Sequence, residues 1–232
     1  MRVVDLGPVA HVAREYGLAL LVDATFASPI NFRPLEHGAD IAITSATKYL
    51  NGHSDVIAGA VAGSASFVEE VTRLMRLWGQ AIDPHAAWLV DRGMRTLALR
   101  MARHNANGMA VAEWAAGHRA IAGVHYPGLA SHPDHAVAER ILRLPGGMLA
   151  FEVKGDVAAG MRVCDALQIA WVATSLGGVH TLVGHAASTT HRQMDPDTRR
   201  AAGIADGLIR VSVGLEDVED LLEDFVRALE AA

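Results

Sequence analysis

Ile41-Ala42-Ile43-Thr44-Ser45-Ala46-Thr47-Lys48-Tyr49-Leu50 opens as an apolar run and then reaches two hydroxyls and a lysine. A short run without polar alternation predicts a strand over 41–44 buried on both faces. Immediately upstream, Leu18 to Val22 is a second such run, stopping at Asp23. Before it, Val9, Val12, Ala13 and Tyr16 fall at helical spacing, and Gly17 is placed to end that helix. Downstream, Val56 to Ala62 forms a third apolar run, bounded by Gly63. Short apolar strands separated by helices predict an α/β fold with a mostly parallel sheet covered on both sides.

From Pro84 the pattern changes. Val90, Met94, Leu97 and Met101 repeat at spacings of four, three and four, and Val111 and Ala115 extend the stripe. This predicts a helix or helix pair of about 30 residues, far beyond the usual length, with Asn105, Asn107 and Gly108 able to bend it. Strands are expected at Ile121–Val124, Met148–Val153, Val172–Ser175 and Leu208–Val213, and helices at Val157–Leu167 and from Val218 to the end. Polar loops are expected at Tyr126–Asp134 and His185–Asp206. The resulting division is residues 1–93, carrying the lysine, and residues 94–232, a long bridging helix with a smaller α+β domain.

The 232 residues carry a net charge of −6, with no Lys/Arg cluster, which disfavours nucleic acid as a partner. No apolar run reaches the roughly 20 residues of a membrane span. The first residues do not read as a signal peptide, because Asp5, Arg14 and Glu15 interrupt them. A lone Cys164 excludes an internal disulfide and suits a cytoplasmic protein.

Three features carry chemistry. Asp23 lies at the C-terminal end of a predicted central strand, the edge where ligands gather in open α/β sheets; it could equally cap the next turn. Ser45, Thr47 and Lys48 follow the next strand, where hydroxyls can hold a phosphate and the amine can attack a carbonyl. Alone, such residues also describe a solvated turn. Arg210 lies inside the apolar strand Leu208-Ile209-Arg210-Val211-Ser212-Val213 and needs an anion, either an internal Asp or Glu or a substrate carboxylate. Together they are the parts a pyridoxal-phosphate (PLP) site requires: a carboxylate for the pyridine nitrogen, an amine for the aldehyde, hydroxyls for the phosphate and an arginine for the substrate.

Val22-Asp23-Ala24-Thr25-Phe26-Ala27-Ser28-Pro29, Arg33-Pro34-Leu35-Glu36-His37-Gly38-Ala39-Asp40 and Ser45-Ala46-Thr47-Lys48-Tyr49-Leu50-Asn51-Gly52-His53-Ser54-Asp55 closely resemble the Cys/Met-metabolism PLP family. The resemblance continues through Ser175-Leu176-Gly177-Gly178 and Gly207 to Asp217, and so runs from near Met1 to the last helix. It implies the C-terminal part of a fold-type I PLP-dependent transferase, followed by a smaller α+β domain. Carried onto these positions, it implies that Lys48 is the Schiff-base lysine and Asp23 the partner of the pyridine nitrogen. Ser45 and Thr47 would contact the phosphate, and Thr25 would lie close to the ring. Ser175 would help Arg210 bind the substrate α-carboxylate. The implied activity is trans-sulfuration: γ-replacement or γ-elimination on a sulfur amino acid or O-acylhomoserine, of the cystathionine γ-synthase and γ-lyase kind. The β-lyase reaction is the alternative. Relatives of this kind are homotetramers built from dimers.

The chain joins the family pattern well inside the cofactor domain. The resemblance therefore implies a C-terminal portion, lacking the first strands, a Gly-containing phosphate loop and a tyrosine that stacks on the ring. A non-catalytic or complementing fragment is the corresponding alternative. Other residues receive structural readings. The histidines at 132, 135, 180, 185 and 191 lack a third ligand at a diagnostic spacing, so no metal is expected. His53 orients the lysine loop, and Cys164 is a small buried hydrophobe. Trp78, Trp88, Trp114 and Trp171 are core or interface residues, and 73–103 is an amphipathic helix with one solvated side.

Overall fold

The computed structural model describes residues 1–231. In its first part, α1 (Leu6–Glu15) leads into β1 (Leu21–Asp23), α2 (Ser28–Asn31), a 3-10 turn (Pro34–His37), β2 (Ile41–Ser45) and β3 (Gly59–Ala62). Three helices follow: α3 (Ala65–Trp78), α4 (Pro84–Met94) and α5 (Leu97–Gly117). The remainder runs β4 (Ile121–His125), α6 (His135–Ile141), β5 (Met148–Val153), α7 (Val157–Ala166), β6 (Trp171–Val172), β7 (Leu182–His185), α8 (Pro196–Ala201), β8 (Leu208–Ser212) and α9 (Val218–Glu230).

The first sheet has the order β1-β2-β3. β1 and β2 are parallel, with Asp23 opposite Ile43, whereas β2 and β3 are antiparallel, with Ser45 opposite Gly59. The sheet is thus mixed rather than mostly parallel, because the chain turns straight back after the lysine loop without a helical crossover. Nor is it covered on both sides: Leu21 and Val61 are exposed, and an apolar cleft of about 340 Å³ lies over Ala24, Phe32, Ala42 and Ala60.

The second sheet has the order β4-β5-β8-β7-β6 and is antiparallel apart from the β6–β7 pair. Its core packs Val111 and Ala115 of α5, Val163 of α7, and Leu221, Phe225 and Leu229 of α9 against Leu149, Phe151, Ile209 and Val211. Phe225 sits edge-on to Phe151 and stacked on Trp114. Strand alternation puts Ile209 and Val211 into this core, so Arg210 between them must face the other way. Its cross-strand neighbours are Ala150 and Gly184, both small enough to leave room for a guanidinium.

The expected long helix is a pair, α4 and α5, and the break falls at Arg95–Thr96 rather than at Asn105, Asn107 or Gly108. The asparagines do not bend α5, because their amides serve tertiary contacts. Asn105 exchanges hydrogen bonds with Asn31 at 3.1 Å, and Asn107 donates to the Glu216 carbonyl at 2.9 Å. Likewise 73–103 is not one helix, since Gly79 in the left-handed region ends α3 and Asp83 caps α4. The expected strand 172–175 shortens to Trp171–Val172, because Ser175 adopts φ 141°. Loop 185–206 contains α8, capped by Asp195 with Pro196 in its first turn.

One buried carboxylate closes the second core. Asp224, on α9, accepts from the amides of Gln168, Ile169 and Ala170 at 2.8, 2.9 and 3.0 Å and pairs with Arg227. Asp224→Ala leaves three amides short of acceptors. The expected cost is about 2–3 kcal/mol, seen as a lower urea midpoint with an unchanged m value.

Candidate active site

The lysine lies in a single helical turn at the end of β2. The Lys48 amide donates to Ser45 O at 3.1 Å, that of Asn51 to Ala46 O at 3.0 Å and that of Gly52 to Lys48 O at 2.7 Å. Tyr49 and Leu50 are buried beneath the turn, against Leu97, Met101, Met148 and Leu176. The half-buried Lys48 side chain points away from them, and its Nζ donates to Ser175 Oγ at 2.7 Å.

At the neighbouring strand end, Asp23 Oδ1 accepts from the Thr25 amide at 2.9 Å and from its hydroxyl at 2.6 Å. The same Thr25 oxygen accepts from the Ser45 amide at 2.8 Å and so ties the ends of β1 and β2 together. Asp23 Oδ2 and the Ser45 hydroxyl have no hydrogen-bond partner among the described residues. Thr47 differs: its hydroxyl accepts from the Ala58 amide at 2.9 Å and lies 3.3 Å from the Ala58 carbonyl. The β3 side of the turn thus holds its oxygen, while its proton has only a long bond.

Ser175 joins the two halves. Its hydroxyl accepts from Lys48 Nζ and its carbonyl accepts from Arg210 Nη2 at 2.8 Å. Its φ of 141° is strained for a non-glycine residue, and strain of that kind persists only where the surroundings hold it. Next to it, Gly177 approaches so closely that a Cβ would stand 2.7 Å from the Tyr49 amide nitrogen. Arg210 is half-buried, burial pushes its guanidinium pKa down, and it pairs with no carboxylate among the described residues. That disposes of the internal salt bridge as its reason for lying in an apolar strand. Hydrogen bonds, in part through the backbone, therefore link Asp23, Thr25, Ser45, Lys48, Ser175 and Arg210 residue to residue.

A group with a phosphate, an aldehyde and a basic ring nitrogen fits these donors and acceptors. The uncommitted Ser45 hydroxyl suits the first, the Lys48 amine the second and the open Asp23 oxygen the third. The Cys/Met metabolism PLP-dependent enzyme family matches residues 1–230. The chain belongs to this family. It is 46% identical to an L-methionine gamma-lyase from Pseudomonas putida, over 100% of this chain and 59% of that protein. It is 43% identical to a cystathionine beta-lyase from Coxiella burnetii, over 99% of this chain and 60% of the relative. Among solved structures, a cystathionine gamma synthase from Xanthomonas oryzae pv. oryzae, in complex with aminoacrylate and cysteine, superposes with a TM-score of 0.93 at 43% identity. That match covers 99% of this chain and 60% of the other. The chain therefore spans about 60% of the length of the relatives it matches, and its α/β fold is theirs over that span.

The remaining singled-out residues have structural work. His132 bonds the Met1 carbonyl and Asp134 pairs with Arg2, fastening the first residues to loop 126–134. His180 stacks on Trp171, and His185 is buried between Ser188 and the Asp206 carbonyl. His53 bonds the Asn51 carbonyl at 2.7 Å within the lysine loop. Cys164 is buried in the second core, which pushes its thiol up to about 11. Of the tryptophans, Trp114 packs against the core, while Trp78, Trp88 and Trp171 are exposed.

Sequence reasoning passed over His104. It is fully buried on α5 beside the Tyr49 ring, and its Nδ1 lies 2.7 Å from the Val213 carbonyl. Burial pushes its pKa down to about 4. An unfolded histidine protonates near 6.5, so the neutral folded form loses stability as pH falls from there towards 4. The expected loss is roughly 3 kcal/mol across that window. Urea midpoints measured at both ends should show it, and His104→Gln should flatten the dependence.

Proposed function

We propose that this chain carries the lysine and the substrate-carboxylate site of a PLP-dependent trans-sulfuration enzyme. The reaction is γ-replacement or γ-elimination on a sulfur amino acid or O-acylhomoserine. The observation that carries this reading is Ser175, which holds the Lys48 amine with its side chain and the otherwise unpaired Arg210 with its carbonyl. An α-amino acid docked by its carboxylate on Arg210 would bring its amine and Cα to the same point as Lys48. The bound cofactor supplies an electron sink for charge developing at Cα. This chain's residues do the rest. Asp23 would pair with the ring nitrogen and keep it protonated, Thr25 fixes Asp23, and Ser45 and Thr47 would hold the phosphate. Lys48 would hold the cofactor by its aldehyde and supply the amine that moves protons at Cα, and at Cβ in γ-chemistry. Residues 1–93 form the cofactor part and 94–232 the bridging helices and substrate part. The enzyme works in the cytoplasm as a homo-oligomer.

A second reading is favoured by the uncovered first sheet: the chain acts with a complementing segment. Its apolar cleft and exposed Leu21 and Val61 present a surface that a further layer would cover, and phosphate binding from Ser45 and Thr47 alone would be weak. The experiment mixes this chain and PLP, with and without the unmatched segment of the P. putida relative. Release of sulfide, thiol, 2-oxobutanoate and pyruvate is assayed from methionine, cystathionine and O-acylhomoserine. The proposal expects 2-oxobutanoate from the mixture and little product from the chain alone. Pyruvate alone would move the assignment to β-elimination, and no product from either sample would overturn the catalytic reading.

A further inference from the structure

We infer that Arg100, on α5, is a positioning residue that holds the Lys48 turn in its working geometry. The inference rests on the reading of Lys48 above. Arg100 is 5% exposed, and all four of its hydrogen bonds go to neutral acceptors. Nη1 donates to the Tyr49 carbonyl at 2.7 Å and Nη2 to those of Leu50 and Gly93 at 3.1 and 2.8 Å. Nε donates to Thr96 Oγ1 at 3.0 Å. No carboxylate among the described residues pairs with it, and burial depresses its pKa.

A buried cation without a counter-ion is costly unless partial charges converge on it. Here the C-terminus of α4 and the carbonyls of the lysine turn do so. Gly93 lies in the last turn of α4, and Tyr49 and Leu50 are the two residues after the lysine, with carbonyls that the turn itself leaves unpaired. Unpaired turn carbonyls and those of a helix C-terminus carry partial negative charge, so one guanidinium ties the lysine turn to the end of α4. The backbone makes way for it. Gly52 adopts φ 76°, and a Cβ there would lie 2.2 Å from Arg100 Nη1; a Cβ on Gly93 would lie 2.3 Å from the Asn51 carbonyl oxygen. The peptide planes that set the direction of the Lys48 side chain are thus fixed from the bridging helix and not from within the loop. A lysine at position 100 would keep the charge but could not reach four acceptors with a planar fork.

The sequence provides an internal standard, because Lys154 is the chain's other lysine and donates to the Arg119 carbonyl, away from these elements. The test incubates the full chain with PLP and cyanoborohydride and maps the pyridoxyl mass tag on Lys48 and Lys154. The wild type should favour Lys48. Arg100→Lys and Arg100→Ala should each lower the Lys48:Lys154 ratio about tenfold, with millimolar guanidinium restoring it in Arg100→Ala alone. Circular dichroism checks folding, and Arg100→Lys carries the test if the alanine variant unfolds. An unchanged ratio in a folded variant, or a fall in Arg100→Ala that guanidinium leaves in place, overturns the inference. A wild-type ratio near one overturns instead the reading of Lys48 on which it rests.

Discussion

Lys48→Ala is expected to lower turnover of the complemented protein by about 10²- to 10⁴-fold, the range for removing a positioned proton-transfer group. The loss should fall on kcat rather than on KM, because Lys48 touches Ser175 and not Arg210, the residue proposed to take the carboxylate. Small primary amines added to the assay should recover part of the activity, since they can move the Cα proton without being attached to the chain. Recovery that follows the basicity of the amine would identify proton transfer as the missing function. A loss confined to KM would count against the assignment.

Arg210→Met should act in the opposite way. Removing one partner of a half-buried, hydrogen-bonded charge pair costs about 2–5 kcal/mol, or roughly 30-fold to a few thousand-fold in affinity. KM for the amino-acid substrate should rise by that factor, with a smaller change in kcat. Decarboxylated amines, which never used Arg210, should be turned over no worse by the variant than by the wild type. The Ser175 carbonyl would also lose its 2.8 Å donor, so a modest fall in kcat is expected through the Lys48–Ser175 contact. Equal sensitivity of acid and amine substrates would show that Arg210 serves the fold instead.

Much of this candidate site was legible because its polar residues sit at strand ends. Asp23, Ser45 and Lys48 each follow an apolar run, and polarity at the end of a buried strand is a local signal. Arg210 was legible for the converse reason, as a charge inside such a run. Arg100 gives the same kind of signal between Leu97 and Met101 on the buried face of α5, but a helix interior offers many charged positions and only tertiary contacts separate the buried ones. The role of Thr25 as the link from Asp23 to Ser45 needed the β1–β2 register. β7 was not read at all, because Leu182–His185 is short and interrupted by Gly184, and its pairing with β8 decides it. The antiparallel turn-back of β3 was likewise hidden, since Val56 to Ala62 has the same apolar character in either direction.

The central claim is that Lys48 is where the cofactor attaches. It is tested most directly by titrating PLP into this chain with its complementing segment and following the cofactor's visible absorbance in wild type, Lys48→Arg and Lys154→Arg. Attachment at Lys48 predicts a saturable band in the wild type and in Lys154→Arg, and none in Lys48→Arg. A band that survives Lys48→Arg, or that disappears in Lys154→Arg, would contradict it.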